Sequence, residues 1–185
     1  MRTVLLTLVV VVLLAGLGGL AFVYSGIYNV AATVPHNALS FWLLNTASDR
    51  SIQNRAARIE APDLRQPGLV ERGAILYREE CVRCHGAPGI GMDPIGRGLE
   101  PLPPRLEENA RHWSPEALFW IVKHGIKMTG MPAWGPSYDD DDIWALVAFM
   151  QEMPGMMPRR YRGLAGGSPP GIGAPARPSD RAPRP

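Results

Sequence analysis

The pentapeptide Cys81-Val82-Arg83-Cys84-His85 constrains this chain most strongly, because it contains both of the cysteines among the 185 residues. Two thiols at this spacing can form thioethers to the two vinyl groups of one haem. The histidine that follows can then bind the iron, and the pattern is the attachment signature of c-type haem. The motif therefore predicts one covalently bound haem c, with Cys81 and Cys84 as the attachment residues and His85 as an iron ligand.

Two other uses of a C-x-x-C pair fit the chain less well. A thioredoxin-like redox pair is expected near a βαβ pattern, and no segment shows the period-two alternation of strands. A structural zinc site needs four ligands, usually with a second pair at similar spacing. The remaining histidines do not supply that spacing; they are His36, His112 and His124.

The N-terminus indicates export. Residues Val4 to Tyr24 carry no charge, and at 1.5 Å per residue they are long enough to cross a hydrocarbon core of ~30 Å. Arg2 is the only charge before this run and Asp49 is the first after it, so the positive-inside rule leaves the N-terminus in the cytoplasm. We expect an N-terminal transmembrane anchor over residues 1–24, with the rest of the chain in the periplasm of a bacterium.

A cleaved signal peptide is the alternative to an anchor. Gly19-Leu20-Ala21 or Val30-Ala31-Ala32 would be the small-residue cleavage site. Signal peptides usually have an apolar region of only ~7–15 residues, and this one is longer. The length therefore favours an uncleaved anchor in the inner membrane.

The pattern of residues 25–66 predicts a linker that is partly helical. A helix starting near Pro35 would carry apolar residues from Leu39 to Ile59, with arginines among the polar positions. Such a helix can lie on a membrane surface, pack on a partner subunit or serve as a simple stalk. The pattern does not separate these three possibilities.

Three helices are predicted within a haem domain spanning residues 67–154. The first runs from Leu69 to about Glu80, and the second has Ser114 as its N-cap and stops near Gly125. The third begins near Asp139, where the helix dipole favours acidic residues, and ends before Pro154. Because no strand pattern is present, the predicted fold class is all-α.

The last segment, residues 155–185, is predicted to be a disordered tail. Of the 32 residues from Pro154 onward, 14 are Pro or Gly, and such a segment buries little apolar surface. This stretch holds six arginines and one Asp, whereas residues 61–153 hold nine Lys or Arg and fourteen Asp or Glu. The tail is therefore basic and the domain mildly acidic, so the tail either stays solvated or docks on acidic partners or headgroups.

A second iron ligand is expected in the loop between the second and third helices. Two methionines there are candidates, and Pro132 restricts the backbone before it to extended conformations. A thioether on a stiff loop suits a fixed axial ligand, which favours Met131. Met128 and His124 remain alternatives, and Met131 can also be a core residue, the usual role of methionine.

The chain resembles the class I c-type cytochromes in their short bacterial form. Three segments within residues 69–153 carry the likeness: Gly73-x3-Tyr77-x3-Cys81-x2-Cys84-His85-Gly86, Thr129-Gly130-Met131-Pro132-Ala133-Trp134-Gly135 and Leu146-Val147-Ala148-Phe149. The resemblance implies three main helices around one haem. It also implies that Gly73 and Tyr77 meet Leu146 and Phe149, and that the carbonyl of Pro103 or Pro104 accepts a hydrogen bond from His85.

The function implied by this resemblance is electron transfer. A methionine opposite the histidine raises the haem potential, and an iron with both axial positions filled has no room for substrate. We expect a membrane-anchored monohaem relay that serves redox partner proteins, such as a dehydrogenase or terminal oxidase, without a small-molecule substrate or nucleic acid. The alternatives are an enzyme or sensor in which the methionine is displaced, and a structural subunit whose haem serves assembly.

Overall fold

A computed structural model describes residues 1–166 of the chain, except for the side chain of Asn109. The described part is helical and contains no β-strand, only one isolated bridge between Ala87 and Ile90. The prediction of an all-α fold with an N-terminal apolar helix is thus confirmed. The chain divides into two compact units, Met1–Val34 and the residues from Pro35 onward.

The first unit is dominated by helix α1, Arg2–Tyr24. Its 23 residues would extend about 34 Å at the usual helical rise, and no side chain of this helix is buried within the chain. In length and composition α1 is suited to cross a membrane. A signal sequence near the N-terminus has the same properties.

The second unit contains helix α2 (Ala38–Ala56) and the bundle of helices that surrounds the attachment motif. Its other helices are α3 (Leu69–Glu80), α4 (Val82–His85), α5 (Pro94–Arg97), α6 (Leu106–Asn109), α7 (Pro115–His124), α8 (Asp140–Glu152) and α9 (Pro158–Ala165). A short 3₁₀ turn, Ala110–His112, follows α6. The three helices predicted for the haem domain correspond to α3, α7 and α8.

Helices α3 and α8 cross at Gly73. A Cβ atom at this glycine would lie only 1.9 Å from the carbonyl oxygen of Ala145 and 2.8 Å from the Cβ of Phe149. One turn further along α3, the ring of Tyr77 packs against Phe149 with 5.2 Å between centroids. The expected crossing is therefore present, and at Gly73 it is made with Ala145 and Phe149.

Local capping fixes the ends of α7 and α8. The Ser114 side chain accepts a hydrogen bond from the amide of Ala117, and the Asp139 side chain accepts one from the amide of Asp142. The two helices then pack together through stacked rings of Phe119 and Trp144, whose centroids are 4.2 Å apart. The loop between the two helices, residues 125–139, packs against the main core through Met131, Trp134 and Tyr138.

Helix α2 packs on the haem domain through its C-terminal half. Ile52 and Ala56 are buried and form a small cluster with Ala117 of α7. The Arg55 guanidinium lies over the Trp120 ring at 5.8 Å. The helix begins at Ala38, three residues after Pro35, because Asn37 caps it by accepting from the amide of Ser40. Half of the predicted linker is thus part of the same compact body.

The prediction of disorder from residue 155 is wrong for residues 155–166. Helix α9 packs on α3 and buries Tyr161 and Ala165. The Arg78 side chain donates a hydrogen bond to the carbonyl of Ala165. The averaged Pro and Gly content of the tail concealed this eight-residue helix. The remainder of the predicted tail, residues 167–185, lies outside the described residues.

Candidate haem site

The attachment motif lies directly after α3. Cys81 ends that helix and Cys84 and His85 belong to the short helix α4, so all three side chains project from two successive turns. Both thiols are half-buried and unbonded to each other. Burial raises the pKa of the Cys81 thiol to about 12, with the nearby Glu80 carboxylate adding to the effect. Cys81 is therefore a neutral thiol at neutral pH.

The backbone around the motif is held from two sides. The buried Tyr77 hydroxyl donates to the carbonyl of Gly86 at 2.8 Å, which ties the residue after His85 back to α3. On the other side Gly96 lies against α4, where a Cβ atom would come within 2.8 Å of the Cα of Cys84. These two contacts hold the segment that carries Cys84 and His85 in place.

The imidazole of His85 is oriented by Pro104. Its Nδ1 lies 2.8 Å from the Pro104 carbonyl oxygen, an acceptor only, so Nδ1 carries the proton and donates. The Nε2 atom is then left with its lone pair free, as in histidines that bind a metal. Burial lowers the pKa of His85, and the Pro104 hydrogen bond opposes that shift. The resemblance left Pro103 and Pro104 open, and the structure selects Pro104.

A cleft opens beside His85 and Gly86. The residues that line it include the apolar Ile90 and Leu102 and the basic Arg97 and Arg105. Arg97 donates to the carbonyl of Met92 at 3.0 Å, and Arg105 forms ion pairs with Glu107 and Glu108. Haem has a flat apolar macrocycle and two carboxylates, so apolar walls with two cations fit this group.

Neither arginine was identified from the sequence. Arg97 and Arg105 lie in the segment 92–113, which is rich in Pro and Gly and has no helical periodicity. The structure forms the short helices α5 and α6 there, and these bring the two side chains to the cleft.

The loop that contains Met131 is fastened to the end of α7. Its backbone amides at Trp134 and Gly135 donate to carbonyls of α7 at 3.1 and 3.0 Å. Gly125 has a φ of +65°, and a Cβ there would lie 2.8 Å from the Met131 carbonyl oxygen. The Met131 amide also donates to the hydroxyl of Thr129 at 3.1 Å. These contacts fix the position of the loop relative to the end of α7.

The two candidate methionines differ in their surroundings. Met131 is half-buried and packs against the main core, whereas Met128 is 73% exposed and has a φ of +60°. Gly130, between them, lies against the side chain of Leu99, so this loop also contacts the segment after the attachment motif. Of the two, Met131 is positioned within the domain and Met128 points to solvent.

Residues 68–150 match the family described as "Cytochrome C oxidase, cbb3-type, subunit III". The chain is 30% identical over 95 residues to the cbb3-type cytochrome c oxidase subunit FixP of Rhizobium meliloti, a match that covers 49% of this chain and 29% of that protein. These matches support a class I c-type cytochrome domain in residues 68–150.

Two further relatives of this cytochrome are dehydrogenases. It is 32% identical over 87 residues to the dihydro-heme d1 dehydrogenase of Pseudomonas aeruginosa, covering 47% of this chain and 16% of that protein. It is 31% identical over 85 residues to the quinohemoprotein alcohol dehydrogenase of Comamonas testosteroni, covering 46% and 11%. The chain thus spans less than a third of each of these relatives, so the likeness is limited to a cytochrome module.

Similarity to this family supports an electron-transfer cytochrome that carries haem c and has redox partners. The cleft beside His85 has the chemistry that this cofactor needs. The N-terminal helix α1 is a possible membrane anchor for the cytochrome.

Proposed function

We propose that this cytochrome is a membrane-tethered, monohaem relay that passes single electrons between redox partners on the periplasmic side of a bacterial inner membrane. The observation that carries the proposal is the hydrogen bond from His85 Nδ1 to the Pro104 carbonyl, because it directs Nε2 to bind a metal. A haem c held here would supply a one-electron iron(III)/iron(II) couple. One C-x-x-C-H motif implies a single haem.

The proposed ligand set is Cys81 and Cys84 for the covalent bonds, with His85 and Met131 on the iron. Met131 is favoured over Met128 because it packs against the core on a loop fastened to α7. If His85 and Met131 both bound the iron, neither substrate nor peroxide would have a place to bind there. Weak donation from a thioether also favours the ferrous state and a higher potential.

The chain's own residues would also set the environment of the cofactor. Arg97 and Arg105 provide positive charge at the cleft, where they would pair with the haem carboxylates. Ile90 and Leu102 provide apolar walls that exclude water. An apolar surrounding of low dielectric constant and fixed ligands would keep the reorganisation energy of electron transfer small.

The proposed location follows from α1 and its flanking charges. Arg2 is the only charge on the N-terminal side of the span, which favours a cytoplasmic N-terminus and a periplasmic haem domain. Covalent attachment of haem takes place outside the cytoplasmic membrane in bacteria, which agrees with this orientation. Helix α1 would hold the domain within reach of membrane-bound partners.

The proposed partners are a dehydrogenase or a terminal oxidase. The relatives are two dehydrogenases and one oxidase subunit, each longer than this chain. The likeness to these relatives lies in a cytochrome region of this chain. We infer an electron-transfer subunit that works with a separate enzyme.

Ligand binding to the purified full-length protein tests this proposal. The reduced protein should resist carbon monoxide, the oxidised protein should not consume hydrogen peroxide, and a redox titration should follow a one-electron curve. Rapid carbon monoxide binding or peroxide turnover by the wild-type protein would instead favour an enzyme or sensor. A titration with two components would contradict a single haem.

A further inference from the structure

Helix α2 has two halves with opposite surroundings. Its C-terminal half contributes Ile52 and Ala56 to the cluster on α7. Its N-terminal half, Ala38 to Ser48, contains no buried residue. Five of its large apolar side chains are 43–65% exposed: Leu39, Phe41, Trp42, Leu43 and Leu44. These five residues are called the apolar end of α2 below.

The apolar end of α2 covers every side of the helix. With 100° between successive residues, Leu39 and Leu43 share one side, and Phe41, Trp42 and Leu44 lie on the others. A helix that docks in a protein groove shows an apolar stripe, whereas one that is apolar all round is suited to immersion. This distribution favours lipid over a groove on a partner subunit.

The same end of the helix also lacks charged residues. Between Arg2 and Asp49 the chain contains no Asp, Glu, Lys or Arg, and His36 is the only histidine. Asp49 and Arg50 begin the polar half of α2, so the change from uncharged to charged coincides with the change from exposed apolar to packed. Trp42, within the uncharged half, is of the residue type enriched at membrane–water interfaces.

The length of the connection puts a bilayer within reach. Residues 25–37 join α1 to α2, and thirteen residues extend at most about 45 Å. Residues 38–48 as a helix are only about 16 Å long, too short to cross the ~30 Å hydrocarbon core. The segment is therefore of a size to enter one leaflet and not to span the membrane.

We propose that the apolar end of α2 inserts into the periplasmic leaflet of the bilayer that α1 spans. The proposal assumes the anchor of the proposed function. Because the other half of α2 packs on α7, insertion would hold the haem domain directly against the membrane surface and fix its height above it. The occupant of this surface is lipid, bound through apolar contact and not through headgroup charge.

The test cuts the connection between α1 and α2 after the whole protein has been assembled in vesicles. A protease site is introduced between residues 28 and 33, and the full-length holoprotein is reconstituted in vesicles of phosphatidylcholine alone. After cleavage and sedimentation in high salt, the haem domain should stay with the vesicles. In the variant F41S/W42S/L43S the cleaved domain should be released, with vesicle binding weakened at least about tenfold.

A matched control removes exposed apolar surface elsewhere on the domain. Ile95 and Met157 are 54% and 55% exposed and lie outside α2, so I95S/M157S should stay bound after cleavage. The haem spectrum and melting temperature of each variant show whether it has folded. If the triple variant fails to fold, wild-type protein in vesicles with a photoactivatable lipid should be labelled in residues 38–48 and not in residues 115–124.

The outcomes are distinguishable. Release of the cleaved wild-type domain from vesicles overturns the insertion of α2 while the anchor stands. Retention on native membranes together with release from pure lipid overturns it in favour of a protein partner. If the uncleaved protein already fails to sediment with vesicles, the anchor itself is wrong, and the insertion proposal falls with it.

Discussion

At the residue scale, the ligand assignment distinguishes two methionines three positions apart. Met131→Ala should abolish the weak far-red sulfur-to-iron band of the oxidised protein, lower the potential and admit carbon monoxide to the reduced form. Met128→Ala is the matched control, because this side chain is exposed, and it should leave all three properties unchanged. Survival of the band in Met131→Ala, or its loss in Met128→Ala, would reverse the assignment.

A buried ion pair beside the helix crossing gives a second prediction. Asp142 is 2% exposed and pairs with Arg72 of α3. Asp142→Asn leaves the Arg72 charge without its partner and should lower the free energy of unfolding by about 2–3 kcal/mol, less than for a fully buried pair because Arg72 still reaches water.

The neighbouring Asp141 provides the control for this experiment. It lies in the same first turn of α8 but is exposed, so Asp141→Asn loses only its interaction with the helix dipole, about 0.3–1 kcal/mol. Denaturant unfolding of the two variants measures the difference. Equal losses would mean that Asp142 acts through the dipole and not through Arg72.

At the element scale, the crossing of α3 and α8 depends on the absence of a side chain at Gly73. Gly73→Ala would place a Cβ atom 1.9 Å from a carbonyl oxygen, so the helices must separate, and the loss should be about 3 kcal/mol. Gly163→Ala, in α9, meets nothing within 4 Å and should be neutral or stabilising by up to about 1 kcal/mol. Equal thermal stability of the two variants would contradict the crossing.

Helix α9 offers a prediction in two parts. Tyr161 is buried, yet its hydroxyl has no hydrogen-bond partner within residues 1–166. Tyr161→Phe removes that uncompensated group and should stabilise the protein by about 1 kcal/mol, whereas Tyr161→Ala opens a cavity and should cost about 3–5 kcal/mol. If both variants melt like the wild type, α9 does not pack on the domain in solution.

The elements that could be predicted from the sequence are those with local signals. Ser114 and Asp139 cap α7 and α8 through bonds to amides three residues away, and such spacing is visible in the sequence. The packing of α2 on α7 could not be predicted, because it depends on Ile52 meeting Ala117 across 65 positions. Helix α9 was missed because one aromatic residue, Tyr161, secures it in a segment of unfavourable average composition.

The haem site, like the fold, could be predicted from the sequence only in part. Pro103 and Pro104 are adjacent, 18 and 19 positions after His85, so only the direction of a carbonyl separates them. Arg97 and Arg105 belong to an aperiodic segment, so nothing in the pattern brings them to the cleft. Cys81 and Cys84 could be proposed as attachment residues because covalent chemistry fixes their spacing. Their role, and those of His85 and Met131 on the iron, stay predictions.

At the scale of the whole molecule, the anchor is the main prediction. The native protein should sediment with membranes and resist extraction by carbonate and by high salt. Apolar insertion is not screened by ions, whereas exposed charge pairs are screened within about 8–10 Å. The sequence of the mature N-terminus gives an independent check: a protein that begins at Phe22 or Thr33 would show that residues before it were a cleaved signal.

The pairing of α3 with α8 also has a consequence for the proposed export. In the proposed orientation the segments after α1 would cross the membrane in chain order, so Cys81 would emerge some seventy residues before the end of α8. Until α8 followed, Gly73 would lack its contacts with Ala145 and Phe149. Contacts so distant in sequence form slowly. The exported chain would therefore present Cys81 and Cys84 in an open state until α8 is complete.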